Sequence, residues 1–390
     1  MKNKNIYSNW PSFNNKCIQN VNKVLKSGNV NYLTGTKGTE FENKFKKKFN
    51  LNFTCAVANG TVALELALLS LNLKKNDEVI VTPRSYNSSA SSILKVGAKP
   101  VFTDIDLNTY NADYQGIKAN ITKNTKAIIC VHLYGLPCDM ESIIRLANQK
   151  NFYVIEDCSQ AHGAKINNRY VGSYGDISVW SFCNDKIIST GGEGAMISCK
   201  KKIFYEKIWS LKDIGKNKKK YFKNKLNHLY PYMHDFLGTN ARITEIQSVI
   251  GIEQLDQLDN FLRIRNRNAQ ILNKFLKKIP SVILPIHDKK FFHAYYRFTI
   301  SLNFKNIKKK ISFKKIIELI TSKNIVCNVG GCPEIYKEKP FKNFIPKIKL
   351  KNVSLLRNRT ISFLVDSTIS KKDMNIIGQE LEYIFRSISK

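Results

Sequence analysis

The stretch DISVWSFCNDKIISTGGEGAM, Asp176–Met196, joins an apolar run to a lysine and a glycine-dense bend. The run Ile177–Phe182 predicts a buried strand, and the glycines between Gly191 and Gly194 predict a tight turn before a second apolar run. Lys186 lies between these two features. A lysine held against an apolar strand can be partly desolvated and become nucleophilic, whereas most lysines are solvated. The stretch alone therefore leaves two interpretations open, a reactive lysine and an ordinary loop lysine.

Two strand patterns upstream end in polar residues. Phe152–Asp157 is an apolar run that closes with a carboxylate, and Ala56–Thr61 runs directly into the helical pattern Val62–Leu69. The first N–H groups of a helix and the positive end of its dipole attract an anion, and glycine permits close approach of the backbone. The Asn59–Thr61 junction is therefore predicted to be a phosphate seat.

Strand and helix patterns alternate through much of the chain, which predicts an α/β fold with a mostly parallel sheet covered by helices on both faces. Ligands of such sheets bind at the carboxyl ends of the strands, so polar residues that follow different strands are expected to converge there. The other predicted strands are Val79–Val81, Pro100–Thr103, Ala127–Val131, Tyr153–Ile155, Ile177–Val179 and Ala195–Ile197.

The remaining patterns suggest how the chain is divided. Gly215–Phe236 is rich in lysine and aromatic residues and is predicted to be a mobile loop, and a long apolar helical stripe begins at Thr244. The sequence after this helix mixes strand and helix patterns, as in a smaller α+β domain. We therefore expect an N-terminal arm at 1–28, a large domain at 29–243 and a small C-terminal domain at 244–390.

The charge balance is strongly basic. The chain has 390 residues, with 63 Lys and Arg against 30 Asp and Glu, a formal net charge of +33. The lysines are scattered through every segment, whereas a nucleic-acid face would concentrate basic residues on one element among stacking aromatic side chains. No run approaches the about 18 to 20 apolar residues of a membrane span. We therefore expect neither a nucleic-acid nor a membrane partner.

The cysteines indicate a reducing compartment. The nine cysteines include no C-x-x-C pair, and several lie inside apolar strand patterns. The N-terminus also lacks the apolar core of a signal peptide. We expect a cytoplasmic protein with reduced cysteines and no metal site.

Taken together and in this order, the motifs resemble the DegT/DnrJ/EryC1/StrS family of nucleotide-sugar aminotransferases, which are pyridoxal-phosphate-dependent enzymes of fold type I. The resemblance extends from about Gly28 to Asp259, with weaker echoes in HAYYRFTI and GGCPEIY further on. The segments that carry it are NGTVALELAL, TPRSYNSSAS, GAKPVFTDID, HLYGLPCDM, EDCSQAHGA, SFCNDKIISTGGEGAM and TNARITEIQSVIGIEQL.

The resemblance implies pyridoxal 5'-phosphate as the cofactor and gives several residues a role. Lys186 would hold the cofactor as a Schiff base and then move protons, and Asp157 would pair with its pyridine nitrogen. Tyr86 would stack on the ring, and Gln160 would hydrogen-bond the ring hydroxyl. The residues expected to hold the phosphate are Gly60, Thr61, Ser181 and, from the neighbouring subunit, Asn240.

The implied activity is transfer of an amino group, with glutamate as donor, to a keto-deoxysugar linked to a nucleotide, for polysaccharide or glycoconjugate biosynthesis. The implied assembly is a homodimer with shared active sites. If Asn240 has no such role, it is expected to cap the helix that begins near Thr244. The sequence also leaves open whether His162 is catalytic or simply packed, and it favours a solvated His234.

Two alternative functions remain. A dehydratase branch of the same fold has histidine at the position of Lys186, so the lysine argues against it. A basic, non-catalytic nucleic-acid-binding regulator would need neither Lys186, nor Asp157, nor the phosphate seat, and all of these are present.

Overall fold

The computed structural model describes residues 7–225, 232–329 and 331–390. The longer, N-terminal part of these residues forms an α/β domain. Its strands are β1 (Phe53–Val57), β2 (Glu78–Val81), β3 (Lys99–Phe102), β4 (Thr125–Val131), β5 (Tyr153–Asp157), β6 (Lys165–Ile166), β7 (Arg169–Tyr170), β8 (Ile177–Ser181) and β9 (Ala195–Cys199). Its helices are α1 (Asn15–Ser27), α2 (Lys37–Phe49), α3 (Gly60–Ser70), α4 (Ser88–Lys95), α5 (Tyr114–Ala119), α6 (Met140–Lys150), α7 (Lys202–Lys212), α8 (Lys218–Lys225) and α9 (Glu245–Asp256).

The central sheet has the strand order β1-β9-β8-β5-β4-β2-β3. Strand β9 runs antiparallel to both of its neighbours, β1 and β8, and the remaining pairs are parallel. The carboxyl ends of β1, β2, β4, β5 and β8 consequently lie along one edge. The predicted α/β fold with a mostly parallel sheet is confirmed.

Successive residues of the central strands enter different hydrophobic cores. In β2, Val79 and Val81 pack in the core that contains α3, α4 and α7, whereas Ile80 packs in the core that contains α2, α6 and α9. All three side chains are fully buried. Because strand side chains alternate between faces, an unbroken apolar run fills both cores at once. This burial is why these strands lack the apolar and polar alternation of a half-exposed sheet.

The C-terminal part forms a second, smaller core around a sheet of order β10-β12-β14-β13. The strands are β10 (Val282–Ile283), β11 (Phe291–Phe292), β12 (Phe298–Leu302), β13 (Cys327–Asn328) and β14 (Thr360–Phe363). The helices are α10 (Leu258–Leu276), α11 (Phe313–Thr321), α12 (Lys351–Leu356) and α13 (Lys371–Ile388), with 3-10 turns at Phe304–Asn306, Ile335–Lys337 and Lys339–Phe344. A further 3-10 turn, Leu133–Gly135, follows β4 in the large domain.

Helix α10 connects the two cores. Leu258 and Leu262 pack in the core of the large sheet, whereas Leu272 and Leu276 pack in the smaller core. Strand β11 also links the two parts, because it joins β6 and β7 in a three-stranded sheet. The division of the chain after residues 28 and 243 stays a prediction.

Two segments differ from the sequence-based expectation. The predicted loop Gly215–Phe236 contains α8, because Tyr221 packs on Trp209 with their ring centroids 6.1 Å apart; residues 226–231 of this segment lie outside the described residues. The single long helix expected from Thr244 is two helices, α9 and α10, which meet at Gln257. Among the helices of the described ranges, none is long and apolar enough to cross a membrane.

Candidate active site

The junction between β1 and α3 meets the end of β8. The Asn59 side chain caps α3, and its oxygen accepts the N–H of Val62 at 3.0 Å. Helix α3 begins at Gly60, where an added Cβ would lie 2.8 Å from the Cβ of Ser181. Glycine is therefore required for this close approach. The start of α3, with Thr61 in its first turn, and the Ser181 hydroxyl form one polar seat at the positive end of a helix dipole.

Asp157 ends β5 and is almost completely buried, with 5% of its surface exposed. One carboxylate oxygen accepts the N–H of Ser159 at 3.1 Å, and the other accepts the hydroxyl of Ser89 at 3.1 Å. The hydroxyls of Ser89 and Ser85 are in turn 3.0 Å apart. These contacts hold the carboxylate in one orientation at the carboxyl edge of the sheet.

Gln160 and Tyr86 flank this edge. The Gln160 side-chain oxygen accepts the N–H of Tyr134 at 2.7 Å, which leaves the amide nitrogen as the group that can donate. Tyr86 follows β2 and is 70% exposed. Tyr86 is therefore not a core tyrosine, and its ring is accessible at the same edge as Asp157.

Lys186 lies in the turn after β8, and 15% of its side chain is exposed. Its Nζ is 3.2 Å from Oδ1 of Asp185 and 3.4 Å from the hydroxyl of Tyr296. The Tyr296 hydroxyl donates to the other oxygen of Asp185. Burial by itself lowers the pKa of Lys186, but Tyr296 and Asp185 outweigh burial and raise the pKa above its usual value. The structure thus holds a largely buried, charged amine in the turn that follows β8, the strand that ends at Ser181.

The sequence model of the DegT/DnrJ/EryC1/StrS aminotransferase family matches residues 11–382. The chain belongs to this family.

Several named proteins match this chain over most of their own length. GDP-perosamine synthase of Escherichia coli O157:H7 is 36% identical over 365 residues, which are 92% of this chain and 96% of the relative. The dTDP-3-amino-3,6-dideoxy-alpha-D-galactopyranose transaminase of Aneurinibacillus thermoaerophilus is 36% identical over 282 residues, 72% of this chain and 74% of the relative. The solved aminotransferase of Psychrobacter cryohalolentis is 38% identical with a TM-score of 0.95, and the match covers 98% of this chain and 99% of that one. The predicted fold type I architecture is confirmed.

His162 of this aminotransferase family member is a packed residue. Its ring is fully buried, with its centroid 5.6 Å from that of Phe182. Burial, followed by the positive charges of Lys186 and Arg265, lowers the pKa of His162 to about 3. The imidazole is therefore neutral at physiological pH. His234, by contrast, is exposed, as the sequence favours.

Asn240 is exposed on the segment that precedes α9. Its backbone pairs with Asp213 in an isolated bridge. The cap of α9 is Thr244, which forms a capping box with Gln247. The expectation that Asn240 could serve as this cap is wrong, because Thr244 itself has the extended backbone and the side-chain oxygen that the position needs. The role of Asn240 across a subunit interface stays a prediction.

A buried group with metal-ligating side chains lies next to the site. The ligand atoms of His132, Glu156 and Cys158 are within 4.8 Å of one another. The carboxylate of Glu156 accepts the N–H groups of Gly172 at 2.7 Å and Gly175 at 2.6 Å, and it lies 3.1 Å from the His132 ring. Burial raises the pKa of Cys158 well above its usual value, and a protonated thiol is a poor metal ligand. We interpret the group as a structural anchor.

Three residues that contact Lys186 were not identified from the sequence: Asp185, Tyr296 and Trp10. Asp185 was next to the candidate lysine, so its proximity was a usable signal. Tyr296 lies in the HAYYRFTI segment, which carries a weak family resemblance but gives no role to this tyrosine. Trp10 donates its indole N–H to the carbonyl oxygen of Lys186 at 2.9 Å across 176 residues of chain. Only the folded arrangement brings Trp10 and Tyr296 to the lysine.

Proposed function

We propose that this protein is a pyridoxal-phosphate-dependent aminotransferase that transfers an amino group from glutamate to a keto-deoxysugar linked to a nucleotide. The observation that carries the proposal is the position of Lys186. Its amine is largely buried at the sheet edge that also holds Asp157 and the seat at Gly60 and Ser181.

The residues at this edge fit the chemical groups of pyridoxal phosphate. An anionic phosphate suits the start of α3, where the absence of a side chain at Gly60 leaves the backbone accessible beside Ser181. A pyridine nitrogen that carries a proton suits the buried carboxylate of Asp157. An aldehyde suits the amine of Lys186. Three different chemical requirements are therefore met by residues from three different strand ends.

Each residue then has a defined task. When bound, pyridoxal phosphate supplies an electron sink that stabilises negative charge on the substrate carbon. Nζ of Lys186 would hold the cofactor covalently and, once free, would carry a proton between the substrate carbon and the cofactor carbon. Asp157, oriented by Ser89 and Ser159, keeps a negative charge opposite the ring nitrogen. Gln160 would donate a hydrogen bond from its amide nitrogen to the ring hydroxyl of the cofactor.

The phosphate and the ring have further supports in this proposal. Thr61 and Ser181 donate hydroxyl hydrogen bonds to the phosphate, and Tyr86 covers the ring with its exposed face. Asn240 is contributed by the second subunit of a homodimer. Its exposure on the segment before α9 is compatible with that reach.

The nucleotide-linked substrate is inferred from the relatives. Their names refer to sugars linked to GDP and to dTDP, and the match to the GDP-perosamine synthase of Escherichia coli covers nearly all of both chains. A GDP-linked keto-sugar is therefore the first substrate to test. The presence of Lys186, rather than histidine, favours transamination over the dehydratase alternative.

The test is a panel of keto-sugars linked to GDP, UDP or dTDP, offered with glutamate to the enzyme loaded with pyridoxal phosphate. We expect 2-oxoglutarate to form in step with an amino sugar for at least one substrate. The Lys186→Ala variant serves as the blank. Release of water from the sugar without 2-oxoglutarate would instead support the dehydratase, and a colourless protein that binds nucleic acid would support the regulator.

A further inference from the structure

We propose that Tyr296 is a positioning residue for Lys186: its hydroxyl, shared with Asp185, holds the amine at the site edge whenever the amine is not joined to the cofactor. The inference rests on the proposed function, because it concerns the lysine that would carry pyridoxal phosphate. Tyr296 follows β11 and so comes from outside the carboxyl edge of the large sheet, where the other proposed site residues lie.

The geometry around the Tyr296 hydroxyl is that of a relay between two charged groups. The hydroxyl oxygen accepts from Nζ of Lys186 at 3.4 Å while its hydrogen points to Asp185. Nζ also lies 4.9 Å from the centre of the Tyr296 ring, so the ring face supports the same cation. A phenol that both accepts from the amine and donates to the carboxylate fixes the amine in direction as well as in distance.

The backbone around Tyr296 is held rigidly. The fully buried Arg265 donates to the carbonyl oxygens of Tyr295 and Tyr296, both at 3.3 Å. The N–H of Ala294 donates to the carbonyl of Gly135 at 2.9 Å. Gly135 has a positive φ of 98°, and an added Cβ would lie 3.0 Å from the backbone nitrogen of Tyr296. The tyrosine is therefore anchored to both parts of the molecule, as a positioning role requires.

The charges that face Lys186 explain why such a group is needed. Asp185 is on the same turn, and Tyr296 and Arg297 come from the segment after β11. The cation Arg265 and the neutral imidazole of His162 complete the cluster. Arg297 lies 3.6 Å from the Asp185 carboxylate and competes for it.

Burial raises the pKa of Asp185, but Lys186, Tyr296 and Arg297 outweigh burial and lower it. Asp185 consequently stays ionised beside the amine. Lys186 contacts Oδ1 of this carboxylate, whereas Arg297 and the Tyr296 hydroxyl contact Oδ2. The hydroxyl therefore links the amine to the carboxylate oxygen that the amine itself does not contact.

The test measures the free amine in the cofactor-free protein. Trace acetic anhydride labels only unprotonated amines, so labelling of the Lys186 peptide across pH ~7 to ~11 reports the protonation of this side chain. Tyr296→Phe keeps the ring and removes the hydroxyl. We expect about threefold more labelling of Lys186 at pH ~9 than in the wild type, because the ammonium loses a hydrogen-bond acceptor.

Two matched variants complete the design. Asp185→Asn should also increase labelling, because it removes the negative charge. Tyr295→Phe removes the hydroxyl of the neighbouring tyrosine, whose ring stacks on His293. This variant should leave the labelling of Lys186 unchanged at every pH. The same profile in Tyr296→Phe and wild type would overturn the proposal, and so would a shift seen in Asp185→Asn alone. Circular dichroism confirms that each variant is folded.

A separate arm tests the proposed function. Wild-type protein is loaded with pyridoxal phosphate, reduced with borohydride and mapped by peptide mass. A label on another lysine would remove the proposed role of Lys186, whatever the acetylation profiles show. A label on Lys186 with unchanged acetylation in Tyr296→Phe would overturn only the role of Tyr296.

Discussion

In the proposed function, replacing Lys186 by alanine would remove both the covalent hold on the cofactor and the proton carrier. We expect turnover to fall to background while the fold persists, because this side chain is outside the hydrophobic cores. Turnover with glutamate and far-ultraviolet circular dichroism check the two parts. Lys290→Ala is the control, because that lysine pairs with Glu141 at 3.4 Å and has no part in the proposed reaction. Residual turnover near the wild-type level would contradict the assignment.

Asp157→Asn keeps the shape of the side chain and removes its charge. The amide oxygen can still accept from Ser159, so we expect little loss of stability. Without the negative charge the ring nitrogen is less readily protonated, and kcat should fall about 100-fold or more, as for other lost electrostatic stabilisers. Steady-state kinetics and cofactor absorbance measure the effect, with Asp139→Asn at a half-exposed position as the control. An unchanged kcat would show that Asp157 is not the ring partner.

Glu156→Gln should destabilise the fold rather than impair chemistry alone. Its carboxylate accepts backbone N–H groups from Gly172, Tyr174 and Gly175, and an amide nitrogen cannot replace a second accepting oxygen. We expect a loss of about 2 kcal/mol or more in the free energy of unfolding at neutral pH. Urea unfolding measures this loss. Glu141→Gln, at a half-exposed position, should change stability by less than about 0.5 kcal/mol.

The same carboxylate predicts a pH dependence. Burial raises the pKa of Glu156, but the His132 contact and the backbone donors outweigh burial and lower the pKa below its usual value. A lowered pKa in the folded state means that the stabilisation is present above the unfolded value and is lost as pH falls through the folded value. The wild type should lose more stability than Glu156→Gln on acidification from neutral pH to below about 4. If the free energy of unfolding fell with pH in parallel for the two proteins, Glu156 would not be the source of this pH dependence.

At the scale of elements, the N-terminal arm reaches the turn that carries Lys186. Besides its hydrogen bond to the Lys186 carbonyl, the Trp10 ring packs edge-on against Phe261 of α10, with centroids 5.1 Å apart. Trp10→Phe retains an aromatic ring and loses the N–H. We expect a stability loss of about 1 kcal/mol and a fall in kcat with little change in KM, because the turn loses a tether but the substrate loses no contact.

Ser8→Ala is the matched control for the arm. Ser8 donates to Asp366 at 2.7 Å and accepts the backbone N–H of Trp10 at 3.3 Å, so Ser8→Ala loosens the arm but keeps the indole N–H that binds the Lys186 carbonyl. Differential scanning fluorimetry and steady-state kinetics compare the two variants. Equal effects on kcat would show that the arm acts as a whole and that the indole hydrogen bond has no special part.

Most of the framework could be predicted from the sequence because it depends on local patterns. The strands around the site are uninterrupted apolar runs, and the Asn59–Thr61 junction combines a cap, a glycine and a helix start in adjacent positions. Helix α8 was missed because its lysine content resembles a solvated loop, and only the packing of Tyr221 on Trp209 shows otherwise. The break at Gln257 was missed because no glycine or proline marks it and the residues on both sides pack in the same large-sheet core.

The candidate site also contains residues that the sequence predicts and contacts that only the folded chain creates. Lys186 and Asp157 follow predicted strands, so the topology places them at one edge. Tyr296 is 110 residues from Lys186, and its contact depends on how the segment after β11 crosses from one core to the other. No periodicity in HAYYRFTI encodes that crossing.

At the scale of the whole molecule, the proposed homodimer with shared active sites predicts complementation. A Lys186→Ala chain can still lend Asn240, and an Asn240→Glu chain still has Lys186. The second change must be a charged one, since loss of a single hydrogen bond to a charged phosphate costs only about 1.5 to 3 kcal/mol. Co-expression of the two chains should restore activity above the sum of the separate parents. Mixed dimers with no recovery would show that each site is complete within one subunit.

The position of β9 between β1 and β8 has a consequence for the order in which the protein folds. In the central sheet β1 pairs with β9, so the first strand to be synthesised waits for residues Ala195–Cys199 before it can join. A pairing between strands so distant in sequence is slow to form. Insertion of β9 then brings β1 with the start of α3 to one of its sides and β8 with the Lys186 turn to the other. The two sides of the seat, Gly60 and Ser181, are therefore expected to come together only once β9 has joined both strands.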